Sequence, residues 1–265
     1  MDPDDVPAHP LDDRRVTARV FFPRRDDDPT PRAFGVEAHR VPVDADVRLS
    51  ARFLVAHERA PNALFFHGNG EVASDYDDAA PLFAGMVGVN LLVLDYRGYG
   101  SSDGEPTFGA MLRDAPAAFD WFVDHLDERG FGGPVHVVGR SLGSAPAVEV
   151  AARRRRRVTS LVLDSAFAEA APLLELLGVP SDLLAAAESA SGLVDNAAKL
   201  APLDVPLLVV HGGRDRIVPP WHARALHDSS PAKLKRLVVV PTASHNTLLL
   251  HEEYARELKR WFSSF

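Results

Sequence analysis

Short apolar runs rich in β-branched residues alternate with longer stretches of helical periodicity through most of this chain, and no other feature of the sequence narrows its fold as much. Such a chain buries both kinds of element at once by packing helices on the two faces of a mostly parallel sheet. The runs at 63–66, 91–95, 134–138, 160–164, 206–211 and 235–240 read as strands, and 74–85, 107–128, 142–154, 221–227 and 247–263 as helices. The N-terminal part has another character: 16–22, 35–43 and 47–55 read as consecutive strands on short polar turns, which predicts antiparallel pairing at one edge. Residues 1–14 read as a mobile arm and 24–32 as a loop, so 15–265 form one α/β domain. An insertion at about 165–204, with Leu173, Leu174, Leu176, Leu177, Leu183 and Leu184 at helical spacing, predicts a small helical cap.

Composition removes several classes of function. With 265 residues the chain buries a full core unaided, and without cysteine it has neither a disulfide framework nor a thiol nucleophile. The longest run free of formal charge, 79–94, is broken by Pro81, Gly85, Gly88 and Asn90 and falls short of the roughly 20 apolar residues a bilayer span needs. The first thirty residues, dense in Asp and Pro, do not read as a signal peptide, so a cytoplasmic protein without a membrane anchor is the expectation. A net charge of −8 repels phosphate and argues against nucleic acid as a partner. The five arginines at 153–157 follow an Ala-rich helical stretch and read as a solvated helix end.

The most informative string is Gly139-Arg140-Ser141-Leu142-Gly143, a G-x-S-x-G set where a β-branched strand ends and a helix begins. A serine on that turn adopts strained backbone angles, and the glycines remove Cβ atoms that would collide with strand and helix. Its alcohol is a poor nucleophile unless a base lies within hydrogen-bond reach and an acid fixes the base's tautomer. Asp215 follows the 206–211 strand at the sheet edge where ligands bind in open α/β folds, and His245 follows the 235–240 strand. The order Ser141, Asp215, His245 fits a strand-based site of this kind. Asp164, ending the preceding strand, is the rival acid, with structural hydrogen bonding as its other role. Donors for a tetrahedral oxyanion are expected from the N–H groups of Leu142 and of Asn69, the latter in the Gly-rich turn His67-Gly68-Asn69-Gly70. His67 reads as a residue that fixes this loop.

Together with Asp95-Tyr96-Arg97-Gly98-Tyr99-Gly100-Ser101-Ser102-Asp103-Gly104 and Asp215-Arg216-Ile217-Val218-Pro219, these strings make residues 60–262 resemble the α/β-hydrolase superfamily. The branch they resemble is that of serine-aminopeptidase-like esterases related to dipeptidyl-aminopeptidases and acylaminoacyl-peptidases. The resemblance implies a sheet of about eight strands, a triad of Ser141, Asp215 and His245, and no cofactor or metal. It implies hydrolysis of an ester-like bond in a small acyl substrate. Amide cleavage or acyl transfer by the same triad, and ligand binding without turnover, remain open, as does the oligomeric state. Many eukaryotic members resemble this chain but carry an N-terminal anchor or a lipidated cysteine cluster; without either, soluble hydrolysis is expected over depalmitoylation at a membrane.

Overall fold

The computed structural model describes residues 10–26, 28, 30–189 and 194–265. Eight strands form one sheet in the order β1-β2-β4-β3-β5-β6-β7-β8. They are β1 (Val36–Asp44), β2 (Val47–Leu54), β3 (Asn62–Phe66), β4 (Asn90–Leu94), β5 (Val135–Arg140), β6 (Ser160–Asp164), β7 (Leu207–Gly212) and β8 (Lys235–Val240). β1 pairs antiparallel with β2 and β2 with β4, whereas every other neighbouring pair is parallel. β3, β4, β6 and β7 are buried at every residue, as the unbroken apolar runs require once helices cover both faces. On the edge strand β1 burial falls to every few residues, because one side meets water.

Phe66, Leu163 and Val209 point into a core shared with α2 (Phe108–Glu128), α3 (Ser144–Arg153) and α7 (Trp221–Ser229). Phe65, Val162 and Val210 point the other way, toward α8 (Glu252–Phe262) and the segment 73–87. This eight-stranded, mostly parallel sheet with helices on both faces is the α/β-hydrolase fold. Among the described residues no helix is long and apolar enough to cross a membrane.

Several expected elements take another form. Residues 16–22 are no strand: α1 (Arg14–Val20) begins at Asp13, whose carboxylate accepts the Arg15 N–H at 2.8 Å, and buries Val16 and Val20 one turn apart. Residues 10–14 are not loose either, since Pro10–Asp12 is a 3-10 turn with Leu11 fully buried; residues 1–9 lie outside the described residues. In place of one helix at 74–85 there is a 3-10 segment, Ala73–Ala79, and a π turn, Pro81–Val87. Pro81 has no N–H with which to continue the first ladder. The last helix splits at His251, whose extended backbone separates the 3-10 turn Leu248–Leu250 from α8.

Between β6 and β7 lie α4 (Ala171–Leu176), α5 (Ser181–Ser189) and α6 (Asn196–Leu200), with residues 190–193 outside the described set. Asn196 Nδ2 fastens this insertion to the body by donating to Ser144 Oγ (3.0 Å) and the Phe167 carbonyl (2.9 Å). The arginine run ends α3 as expected and is heavily paired: Arg154 meets Asp120 at 2.7 Å, Arg155 meets Asp204 at 2.6 Å and Arg157 meets Asp120 at 2.9 Å.

The register sets the site. Phe66 lies beside Gly139, Arg140 beside Asp164 and Asp164 beside Val210, so β3, β5, β6 and β7 end at one rim.

Candidate active site

β5 passes at that rim into the 3-10 turn Ser141–Gly143 and then into α3. Ser141 sits at φ 51°, a left-handed conformation that costs a residue with a Cβ about 1–2 kcal/mol. Packing around it leaves no room for side chains on either side. A Cβ on Gly139 would lie 2.6 Å from the Ala147 methyl, and one on Gly143 would land on the Phe66 carbonyl. The turn is held closed by Ser144 Oγ, which donates to the Ser141 carbonyl at 2.7 Å.

His245 reaches the serine from the loop after β8. Its Nε2 accepts from Ser141 Oγ at 3.0 Å, while its Nδ1–H donates to Asp215 Oδ2 at 2.7 Å. The three side chains, 104 and 30 positions apart in the chain, therefore form one hydrogen-bonded line. Asp215 Oδ1 accepts the N–H groups of Ile217 (2.9 Å) and Val218 (2.8 Å), which fixes its plane. Its loop is tied to the histidine loop by Gly213 N–H on the Val240 carbonyl and Arg214 N–H on the Ala243 carbonyl, each at 2.8 Å. Burial pushes the Asp215 carboxyl up, but the hydrogen bond and charge of His245 and the Val218 N–H outweigh it, and the net pKa lies below the ordinary carboxylate value. Asp215 is thus ionised at neutral pH.

Asp164 is not in this line. It is fully buried and accepts from Ser165 Oγ (2.8 Å) and the Tyr254 hydroxyl (3.0 Å). His67 is also buried and occupied within its loop, with Nδ1 2.8 Å from the Gly68 carbonyl.

Three residues at the site were not singled out in the sequence. Arg140 is 3% exposed; its Nε donates to Glu71 Oε1 at 2.8 Å and its Nη1 to the His245 carbonyl at 3.2 Å. Glu71 Oε2 accepts the Gly68 N–H and the Tyr76 hydroxyl, both at 2.8 Å. His211 donates Nε2–H to the Val218 carbonyl (2.8 Å) and lies 3.4 Å from Asp215 Oδ2; burial holds its pKa below the ordinary value, so it backs the acid as a neutral ring. An acid directly after a Gly-rich turn and an arginine inside the elbow were the available hints.

Ser141 and His245 open onto a cavity of about 430 Å³. Its walls are mostly apolar: Val20 and Phe22 from the α1 side, Phe108 from α2, and Leu173, Leu174, Leu176 and Leu177 from the insertion. Leu183 does not line it; it is buried where α5 meets the body, so the leucines of the insertion divide between cavity wall and ordinary packing. Asn69 and Leu142 line the same cavity. Leu142, second in the turn, has no carbonyl upstream in the helix to receive its N–H, and with the Gly68 N–H held by Glu71 the next N–H along that loop belongs to Asn69. The Asn69 side chain is otherwise engaged, donating to the Val20 carbonyl and accepting from the Phe22 N–H (3.0 Å) and the Tyr99 hydroxyl (2.7 Å).

Among the described residues, Glu37, His39 and His125 place possible metal-ligating atoms within 4.8 Å of one another. Arg129 already holds both Glu37 oxygens, at 2.6 and 2.9 Å, and none of these residues lines the cavity.

Comparison with known proteins bears on the family and the fold. The family described as "Serine aminopeptidase, S33" matches residues 58–194 and 183–253. Protein bem46 of Schizosaccharomyces pombe is 25% identical over 246 residues, covering 88% of this chain and 80% of that protein. Several other curated relatives are longer, and the chain spans 53–63% of their length. Among solved structures, Est1E from Butyrivibrio proteoclasticus with bound ferulic acid superposes with a TM-score of 0.70 at 22% identity, covering 86% of this chain and 98% of its own. The Pyrococcus furiosus esterase Pf2001 gives 0.70 at 20% identity, covering 92% and 97%.

Proposed function

The chain belongs to the serine aminopeptidase S33 family of α/β hydrolases, and on that premise we propose that it is a serine hydrolase cleaving carboxylic esters of small to medium apolar substrates. Ser141 Oγ attacks the ester carbonyl as His245 Nε2 takes its proton. Asp215 keeps Nδ1 protonated and offsets the charge on the imidazolium. The N–H groups of Leu142 and Asn69 receive the oxyanion. His245 then returns the proton to the departing alcohol, and a water activated by the same ring releases the acid from Ser141.

The observation that carries this reading is the Ser141–His245–Asp215 line, at 3.0 and 2.7 Å, opening onto an apolar cavity. Fold neighbours named as esterases support an acyl substrate, although a fold does not set the substrate.

The test is labelling with a fluorophosphonate probe together with hydrolysis of 4-nitrophenyl esters of increasing chain length, beside an aminoacyl anilide. The protein is expected to be labelled at Ser141 and to cleave the esters, and Ser141→Ala is expected to lower kcat by roughly four to six orders of magnitude. Full activity in Ser141→Ala would move the nucleophile elsewhere, and turnover of the anilide with inert esters would make the protein an amidase.

A further inference from the structure

Arg140 touches all three loops that meet at the reacting serine. It precedes Ser141 in the chain, donates from Nη1 to the His245 carbonyl at 3.2 Å, and donates from Nε to Glu71 at 2.8 Å. Glu71 in turn accepts the N–H of Gly68, directly before Asn69. An unbroken path of charged hydrogen bonds thus runs from the backbone of the base to the loop that offers the second oxyanion donor. Its outer members are fixed as well: Asp164 stands 3.7 Å from Arg140 Nη1 and accepts from Tyr254, and Tyr76 donates to Glu71.

Stability alone is a weak reason to keep such a group. A buried ion pair replaced by apolar or neutral residues of similar volume often leaves a fold equally stable. What apolar residues cannot reproduce is direction. Charged hydrogen bonds fix donor and acceptor to a few tenths of an ångström, whereas a 1 Å error in a reacting constellation costs about 10²-fold.

On the acyl-enzyme reading above, we infer that Arg140 and Glu71 are positioning residues acting as one clamp, which sets the height of the His245 ring over Ser141 and the aim of the Asn69 N–H together. Glu71 borders the cavity, but the hydrogen bonds of both side chains go to the His245 carbonyl, the Gly68 N–H, Tyr76 and each other, not to Ser141 Oγ or the His245 ring. The clamp therefore acts on the transition state, where proton transfer and oxyanion contact coincide, and not on the binding of the acyl chain.

The experiment compares wild type with Glu71→Gln, Arg140→Lys and the triple variant Glu71→Gln/Arg140→Met/Asp164→Asn, which leaves no buried charge in the cluster. It reads kcat and KM on 4-nitrophenyl butyrate, fluorophosphonate labelling rate and melting temperature. In the triple variant the melting temperature is expected to recover most of what Glu71→Gln loses, while kcat stays about 10- to 100-fold down and KM moves less than about 3-fold. Recovery of kcat along with melting temperature would overturn the clamp, since a merely structural pair behaves that way. Should the triple variant fail to fold, Arg140→Lys decides. Lysine keeps the charge but cannot hold Glu71 and the His245 carbonyl at once, so about a 10-fold or greater loss of kcat is expected near the wild-type melting temperature, and an unchanged kcat would refute the inference. A wild type that is labelled beside unaffected variants removes the clamp alone. A wild type that is neither labelled nor active removes the acyl-enzyme reading and the clamp with it.

Discussion

At the scale of single residues, contact separates the two candidate acids. Asp164 ends one central strand and Asp215 follows another at the rim that carries Ser141, but only Asp215 meets His245, at 2.7 Å. Asp164 spends its oxygens on Ser165 and Tyr254. Asp215→Asn is therefore expected to lower kcat by about 10⁴-fold, because an amide no longer selects the Nδ1–H tautomer. Asp164→Asn is expected to cost less than about 10-fold in kcat and to act mainly on melting temperature. Steady-state kinetics and thermal melts of the two variants check this, and a larger kcat loss at 164 would reverse the assignment. Ser141, its flanking glycines, His245 and Asp215 were all visible in the sequence, because a strained turn and a required chain order leave marks in the letters. Arg140 was not legible, since nothing local distinguishes an arginine that will be buried against Glu71 from one bound for solvent.

At the scale of elements, legibility followed the length and periodicity of each segment. The eight strands were readable because runs of four to nine apolar or alternating residues carry their own period. α1 was not, because seven residues allow two turns at most, and Val16 and Val20 fit a strand face as well as a helix stripe. Asp13 ahead of that Val pair was the signal that could have separated them. This short helix matters beyond its size, since Val20 and Phe22 form one wall of the cavity and Asn69 pins both to the rim. Another part of the lining comes from α4 and the residue that caps it, where Leu176 is 78% and Leu177 is 39% exposed. Leu177→Asp is expected to raise KM for a 4-nitrophenyl octanoate by about 10-fold, roughly 1.4 kcal/mol of lost apolar contact, and to leave the acetate within about 2-fold. A KM series over chain length tests it; equal losses on both esters would place the acyl chain elsewhere.

At the scale of the whole molecule, three buried histidines with lowered pKa values make the fold less stable in acid. His136 packs against Phe262, with Nδ1 2.8 Å from Ser160 Oγ, and burial holds its pKa down at about 3. His222 is held at about 4, by burial first and then by the neighbouring His211, which is itself lowered by burial. The unfolded chain takes up these protons near pH 6.5 and the folded chain does not, so the contribution of these groups to stability is full above about pH 6.5 and is lost as the pH falls toward 3–4. Each group contributes a slope of up to about 1.4 kcal/mol per pH unit in that window. Urea unfolding between pH 7 and pH 4 is expected to show this decline, and His136→Leu is expected to reduce its slope by close to one proton. An unchanged slope in that variant would mean that His136 is already protonated in the folded state.

The sequence by itself determined what depends on near neighbours: the strand periods, the strained serine turn with its obligatory glycines, and the order in which Ser141, Asp215 and His245 leave the sheet. Tertiary structure alone decided which acid faces the histidine, that α1 closes one side of the cavity, and that Arg140 joins Glu71 to the His245 backbone. The reason is distance along the chain. Those contacts join residues 30 to 105 positions apart, and only the order and register of the strands bring such residues to one rim. No local pattern of side chains carries that information.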